Sequence, residues 1–210
     1  MHRVINAVLT RSLASQVRWS APVIVMLVAA LAACATNSEV AAVDASTPIL
    51  RVTSSALIEG GTLPTSLKCT RDGGTGDSPP LAWTGAPLAT QSYAVLIYHY
   101  PNGTVPGVDT PNHYWLLWNI GSSVNELAQG NSAHIGTQGG DKDGRAIGYT
   151  PPCSPIGSGT HTYHIRVYAL SAAPTTLGAT DSLAVDYATF IAAINPLTLA
   201  SGELSFAESN

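Results

Sequence analysis

The chain has 210 residues, of which 45% are hydrophobic and only 10% are charged, and it contains 19 glycines and 14 prolines. Globular domains usually carry about 25% charged residues, so this composition excludes a disordered protein, and the many glycines and prolines exclude a coiled coil or a helical bundle. Arg3, Arg11 and Arg18 lie in a segment that we expect to be removed. The remaining chain then has 6 of the 9 basic residues and 13 acidic ones, a net charge of −7. This charge excludes nucleic-acid binding through a basic surface.

Residues 1–33 have the pattern of a lipoprotein signal peptide. The first 20 residues carry arginines and no acid, and a core of thirteen apolar or small residues follows over Ala21–Ala33. That core is shorter than the ~20 residues that a membrane-spanning helix needs. It ends in Leu31-Ala32-Ala33-Cys34, which resembles a bacterial lipobox, and the thiol of Cys34 is the group that would take the lipid. An ordinary secretory signal and an uncleaved anchor are the alternatives.

The segment after the lipidated cysteine predicts a tether. Residues 34–48 are small and polar without periodicity, which is typical of a flexible linker to a domain over residues 49–210. We therefore expect a protein that is held by lipid on the extracytoplasmic side of the cell envelope. Ala35 rather than an aspartate follows the cysteine, which favours the outer membrane over the inner membrane.

Two further cysteines follow in the predicted domain. An even pair in an oxidising compartment favours a disulfide between Cys69 and Cys153. Closing a loop of about 84 residues would contribute ~4 kcal/mol in the chain-entropy model. Two buried free thiols are the alternative.

Short apolar runs between turn signals predict strands. Tyr93–Tyr98 and Tyr114–Ile120 are apolar on both faces, as in strands that are buried on both sides of a sheet. Pro101–Gly107 between them can only be a loop. We therefore expect these two strands to be neighbours.

A third strand over His161–Leu170 alternates in polarity. Since successive side chains of a strand point to opposite faces, His161 and Tyr163 share the inward face, next to the proline-rich loop Pro151–Gly157. His164 lies on the other face, where we expect it to be exposed.

The C-terminal region predicts one helix and a last strand. Thr180 or Asp181 can cap the helix, and its apolar residues recur at helical spacing until Asn195-Pro196 stops it. A short strand over Glu203–Phe206 then closes the sheet. The apolar positions of the predicted helix are Leu183, Tyr187, Phe190, Ile191 and Ile194.

Several motifs occur in an order that resembles a known family. They are Cys69-Thr70-Arg71-Asp72-Gly73, Ser78-Pro79-Pro80-Leu81-Ala82-Trp83, Trp115-Leu116-Leu117-Trp118-Asn119-Ile120, Gly144-Arg145-Ala146-Ile147-Gly148-Tyr149 and His161-Thr162-Tyr163. Over about residues 50–207, this order resembles the phosphatidylethanolamine-binding protein (PEBP) family, in its bacterial Raf-kinase-inhibitor-like branch. The resemblance implies a mainly β fold, an antiparallel β-sandwich of Greek-key type with a C-terminal helix.

The resemblance also implies a small pocket that binds phosphate-like head groups and other small anions. His161 and Tyr163 match the His-x-Tyr pair of the family, and Pro152 with Cys153 matches its Gly-Pro-rich loop. An imidazole and a phenol can both donate hydrogen bonds to an oxyanion, so the chemistry agrees with the match.

This sequence departs from the family pattern in two places. The Asp-Pro-Asp-Ala-Pro loop of the family is replaced by His99-Tyr100-Pro101-Asn102-Gly103, which removes both aspartates, and Asp109 could restore one carboxylate. Tyr114 stands where the family has a histidine, and His113, one residue earlier, should face away from the pocket unless a bulge redirects it. The predicted ligand-binding residues are therefore His161, Tyr163, His99, Pro152 and Tyr114.

We expect a non-catalytic protein that binds a small anion or a phospholipid head group, with no cofactor and no metal. The sequence contains no Gly-x-Ser-x-Gly elbow and no His-x-x-x-His or Cys-x-x-Cys pair. A zinc site built from His99, His113 and His161 is one alternative. A protein-interaction module that inhibits a protease or kinase through the loops 99–112 and 130–150 is another.

Overall fold

The computed structural model describes residues 49–210. The predicted signal peptide over residues 1–33, the lipidation site Cys34 and the tether over residues 34–48 lie outside the described residues. None of the helices between residues 49 and 210 has the length and apolar character needed to cross a membrane.

The strands and the α-helix of this domain are β1 (Arg51–Thr53), β2 (Gly61–Thr62), β3 (Leu81–Thr84), β4 (Ser92–His99), β5 (Asn112–Gly121), β6 (Glu126–Leu127), β7 (Thr137–Gln138), β8 (Thr160–Leu170), α1 (Tyr187–Ile194) and β9 (Thr198–Ser209).

Two sheets form a β-sandwich. The larger sheet has six strands in the order β2-β9-β8-β4-β5-β7, and the smaller sheet has three in the order β1-β3-β6. After β7 the chain returns at β8 to lie beside β4, and β9 then pairs with β8. The predicted sandwich is confirmed, except that the sheet is not wholly antiparallel, because β2 pairs with β9 in parallel.

Both faces of the large sheet are covered, which explains why β4 and β5 are apolar on both sides. Val95 and Ile97 of β4 face the small sheet and share a core with its Trp83. Ala94 and Leu96, on the opposite face, pack in a second core with Phe190 and Ile194 of α1 and with other residues, including Leu177 and Val185. The prediction that these two neighbouring strands are buried on both sides is confirmed.

Helix α1 begins later than the sequence predicts. Asp186, and not Thr180 or Asp181, caps it, because the Asp186 carboxylate accepts a hydrogen bond from the Thr189 backbone N–H at 2.8 Å. The carboxylate of Asp181 accepts a hydrogen bond from the backbone N–H of Gln138 at 2.8 Å instead. Two acidic residues can act as caps here, and tertiary contacts decide between them.

The last strand is longer than the predicted Glu203–Phe206. β9 pairs with β8 from Thr198 opposite Leu170 to Ser209 opposite Thr160, so the neighbouring long strand supplies hydrogen bonds along its whole length. This pairing places the C-terminal residues beside the start of β8, where the candidate site lies.

Candidate functional site

The ends of three neighbouring strands meet at a cavity of about 460 Å³, which we call the His161 cavity. In the sheet register, His99 at the end of β4 lies between Asn112 of β5 and Tyr163 of β8. Residues paired on neighbouring strands point to the same side of the sheet, and so does the residue two positions along either strand. The side chains at these strand ends therefore lie together on one side. The strand residues that line the cavity are His99, Asn112, Tyr114, His161 and Tyr163.

His99 and His161 form a hydrogen-bonded pair in this cavity. Nδ1 of His161 lies 3.2 Å from Nε2 of His99, and Nε2 of His161 lies 2.9 Å from Oγ of Ser158. When His161 donates from Nδ1, its Nε2 accepts from the Ser158 hydroxyl, and the proton of neutral His99 sits on Nδ1. That nitrogen is buried and has no hydrogen-bond partner among the described residues. In this arrangement His99 is left with one unpaired N–H, and in the reverse arrangement, with Nε2 of His99 as the donor, Nδ1 is an unpaired acceptor.

Burial also controls the charge of His99. It lowers the pKa of His99 to about 4, and the nearby His161 and His164 act in the same direction. His99 is therefore neutral at pH 7. His164 itself lies on the other face as predicted, but it is half-buried rather than exposed, and its Nδ1 lies 2.8 Å from the Glu203 carboxylate.

Tyr163 is packed among other rings at the base of the cavity and is only 1% exposed. Its ring stacks on His99 at 4.9 Å and on Phe206 at 5.3 Å between ring centres, and Tyr114 meets it edge-on at 5.0 Å. Its hydroxyl lies 3.5 Å from Oγ of Ser154. Burial raises the pKa of Tyr163, so its phenol stays protonated and can donate a hydrogen bond.

The proline-rich loop forms a second wall, and a disulfide between Cys69 and Cys153 holds it. The structure thus contains the bridged form of the two alternatives for these cysteines. Pro152, which we predicted to contact a ligand, is buried and does not line the cavity. Its carbonyl accepts a hydrogen bond from the Cys69 backbone N–H at 3.3 Å. The loop residues that line the cavity are Pro151, Cys153, Ser154 and Pro155, with Thr150 just before them.

Two charged side chains at this cavity were missed by the sequence analysis. Lys142 and Asp143 both line it, and Nζ of Lys142 lies 2.8 Å from Oδ1 of Asp143. The carboxylate of Asp109, which we considered for this role, does not line the cavity and accepts a hydrogen bond from the Val105 backbone N–H at 2.7 Å. The sequence analysis placed these two residues only in the loop 130–150 of the protein-interaction alternative, and no local pattern indicates which cavity that loop reaches.

His113 faces away from the His161 cavity, as its position in the strand predicts. It is buried on the opposite face, where its Nε2 lies 3.1 Å from the Gly140 carbonyl oxygen and its ring lies 6.4 Å from that of Tyr187. The irregular pairing between β4 and β5 does not redirect it. His99 and His161 therefore meet without His113, and the three-histidine zinc site lacks its third ligand.

Comparison with known proteins agrees with this architecture. The family model for phosphatidylethanolamine-binding protein matches residues 53–206. A UPF0098 protein of Mycobacterium bovis is 28% identical over 130 residues, which cover 62% of this chain and 58% of that protein, so the chain spans less than two thirds of its length. A Mycobacterium tuberculosis protein whose name marks it as a proposed lipoprotein, LppC, is 29% identical over 136 residues, covering 62% of this chain and 63% of that protein.

A solved structure is also similar. Escherichia coli YbcL, described as a new member of the mammalian PEBP family, superposes with a TM-score of 0.64 and 26% identity, covering 77% of this chain and 98% of YbcL. The family match includes every strand from β3 to β8 and the whole of α1. The chain belongs to the phosphatidylethanolamine-binding protein family.

Proposed function

We propose that this protein is a non-catalytic binder of a small anion, either inorganic phosphate or the phosphorylated head group of a phospholipid. The observation that carries the proposal is the meeting of His99, His161 and Tyr163 at one cavity, which the side chain of Lys142 also lines. An imidazole N–H, a phenol and an ammonium group all donate hydrogen bonds to an oxyanion. The Lys142 ammonium is a further donor at the cavity, and its charge is offset by the ion pair with Asp143, so an anion would compete with that carboxylate for Lys142.

The histidine pair gives this binding a preferred protonation state. A phosphate oxygen that reaches His99 would supply the partner that its buried Nδ1 lacks. An anion next to the ring also favours the imidazolium form, so binding should raise the pKa of His99 from about 4. Binding should therefore strengthen as the solution becomes mildly acidic.

Ser158, His161 and His99 also have the spacing of a nucleophile, a base and an orienting group. We assign Ser158 a positioning role, because its hydroxyl is hydrogen-bonded to Nε2 of His161 and it does not line the cavity. A non-catalytic protein should hydrolyse p-nitrophenyl acetate no faster than its Ser158→Ala variant, which lacks the candidate nucleophile and keeps both histidines. Faster hydrolysis by the wild type would refute this part of the proposal.

We further propose that a lipid on Cys34 holds the domain on the extracytoplasmic side of the cell envelope, at the outer membrane rather than the inner one. The motif Leu31-Ala32-Ala33-Cys34 supports this, as does the similarity to LppC. A domain tethered at a bilayer surface is surrounded by phospholipid head groups, which fits the class of ligand proposed for the His161 cavity.

Isothermal titration calorimetry of the full chain in detergent tests the binding proposal, with inorganic phosphate and O-phosphoethanolamine as probes. The wild type should bind at least one of them. His161→Ala should bind it about tenfold or more weakly, because a hydrogen bond to a charged group contributes ~1.5–3 kcal/mol. His164→Ala removes a histidine from the opposite face of the same strand and should bind like the wild type.

The two probes distinguish the sources of the anion. Tighter binding of O-phosphoethanolamine would indicate a lipid head group, and equal or tighter binding of inorganic phosphate would indicate the free ion. Binding that is unchanged in His161→Ala, or no binding of either probe by the wild type, would refute the proposal.

A further inference from the structure

A second cavity has a volume of about 230 Å³. It is formed by three parts of the chain that do not line the His161 cavity. Ser78 comes from the Ser-Pro-Pro-Leu-Ala-Trp motif, Trp115 from β5 and Tyr149 from the Gly-Arg-x-x-Gly-Tyr motif. We call it the Tyr149 cavity. The next two residues, Thr150 and Pro151, line the His161 cavity, so the two cavities adjoin along the chain but share no lining residue.

Two residues that line the Tyr149 cavity carry buried hydroxyl groups without a hydrogen-bond partner. These groups are Oγ of Ser78, a residue that is 2% exposed, and the phenol oxygen of Tyr149, and neither has a partner within residues 49–210. Burial, and next the charge of Asp77, raises the pKa of Tyr149, so its phenol keeps its proton. Unpaired buried hydroxyls are unfavourable and uncommon, so the pair points to a molecule that binds here.

Gln138 adds a hydrogen-bond donor in a fixed orientation. Its Oε1 accepts a hydrogen bond from the Trp115 indole N–H at 2.7 Å, which defines the orientation of the amide and leaves its NH₂ group as a donor. Gly148 helps to keep it there: its φ is +98°, and a Cβ at this position would lie only 3.0 Å from Oε1 of Gln138. A side chain at residue 148 would therefore strain the backbone and crowd the amide.

The charge of the Tyr149 cavity disfavours an anion. Its lining contains the carboxylate of Asp77 and the imidazole of His134 but, among the described residues, no lysine or arginine. Oδ2 of Asp77 accepts hydrogen bonds from Gln129 at 3.1 Å and Thr75 at 2.9 Å, and these bonds lower the pKa of Asp77, so it is ionised at neutral pH. An anion would be repelled by this carboxylate.

An apolar ligand fits the cavity no better, because it would leave both buried hydroxyls unpaired. A molecule with several adjacent hydroxyl groups avoids both problems, since each hydroxyl can donate and accept. The rings of Trp115 and Tyr149, with centres 5.9 Å apart, add apolar surface for the C–H groups of such a molecule. The volume lies below the ~300–1,000 Å³ of sites for drug-sized ligands, which limits the ligand to a small molecule.

We infer that the Tyr149 cavity is a second binding site, which takes an uncharged polyol of about the size of one sugar ring. The hydroxyls of Ser78 and Tyr149 and the amide of Gln138 would hold its hydroxyl groups. This site is independent of the anion proposed for the His161 cavity, because its ligand is uncharged.

Titration of the ¹⁵N-labelled full chain in detergent with D-glucose, D-galactose and N-acetyl-D-glucosamine tests the inference by NMR. At least one sugar should cause saturable shifts of the Trp115 indole and of the Gly76, Gly130 and Gly148 amides, which line the cavity. Glucose 6-phosphate should bind more weakly than glucose. Tyr149→Phe should weaken sugar binding about 3- to 10-fold, the effect of one neutral hydrogen bond.

Tyr149→Phe distinguishes a ligand site from a merely structural role. Its hydroxyl has no partner among residues 49–210, so its removal should not lower the melting temperature and should leave phosphate binding in the His161 cavity unchanged. Tyr93→Phe, which alters a buried tyrosine that packs on Trp83, is the matched control and should bind sugar like the wild type. Absence of saturable shifts with all three sugars, equal sugar affinity in Tyr149→Phe, or equal binding of glucose 6-phosphate would overturn the inference.

Discussion

His99 is a buried histidine whose protonation the fold opposes. Its pKa in the folded protein is about 4, below the ordinary value of 6.5, first because of burial and then because of His161 and His164. As the pH falls below about 6.5, the unfolded chain takes up a proton at this position before the folded protein does. The free energy of unfolding should therefore fall between about pH 6.5 and pH 4.

His99→Gln should reduce this loss of stability, because an amide does not titrate. Urea unfolding at pH 7.0, 5.5 and 4.5 measures it, and the variant should show a smaller decrease than the wild type over this range. His113, whose pKa burial also lowers, contributes equally to both proteins. His134→Gln, at an exposed histidine, is the control and should follow the wild type. A decrease as large in His99→Gln as in the wild type would contradict the assignment.

The residues of the site differ in how far the sequence could reveal them. The common orientation of His161 and Tyr163 follows from alternation along one strand, which is a local property. Lys142 and Asp143 reach the same cavity from a loop whose path depends on the whole fold. No local pattern encodes that path, and the carboxylate was therefore sought at Asp109.

At the level of elements, the type of each long segment was predictable and its boundaries were less so. The two-sided apolar runs of β4 and β5 indicate burial on both faces, because each face must be covered. The start of α1 was misplaced, because the predicted cap Asp181 bonds to the Gln138 backbone N–H and Asp186, which the sequence analysis did not consider, caps the helix. The short β2 and its parallel pairing with β9 leave almost no local pattern to read.

The disulfide is a connection between elements that should affect both stability and binding. Cys69 lies just before a short 3-10 helix and Cys153 in the loop that lines the His161 cavity, 84 residues apart. Reduction should lower the free energy of unfolding by about 4 kcal/mol in the chain-entropy model. It should also weaken phosphate binding, because the loop that carries Ser154 is no longer held.

Urea unfolding and phosphate titration with and without dithiothreitol measure the two effects. The double variant Cys69→Ser/Cys153→Ser is the control, because it should resemble the reduced wild type and should not respond to dithiothreitol. A wild type whose stability is unchanged after verified reduction of the bridge would show that the disulfide does not constrain this loop.

For the domain as a whole, the large sheet explains how two cavities of different character can coexist. Its neighbouring strands β4 and β5 are buried on both faces, so they offer no apolar face to a ligand. Ligand contacts are left to strand ends and to the loops beside them, as in many proteins whose sites lie on loops held by a rigid scaffold. The segment 148–151 contributes to both cavities, so each can be altered by substitutions that leave the sheet intact.

The proposed attachment of this domain to a membrane depends on one sulfur atom outside the described residues. Two or more acyl chains on Cys34 would anchor the protein stably, because each buried CH₂ contributes ~0.8 kcal/mol. Intact-mass spectrometry of the membrane fraction should find a mature chain that begins at Cys34 and carries the added mass of a diacylglyceryl group. Cys34→Ser should lack that mass, whereas Cys153→Ser, at a cysteine of the disulfide, should retain it. An unmodified Cys34, or a mature N-terminus at another residue, would show that the domain reaches its location by another route.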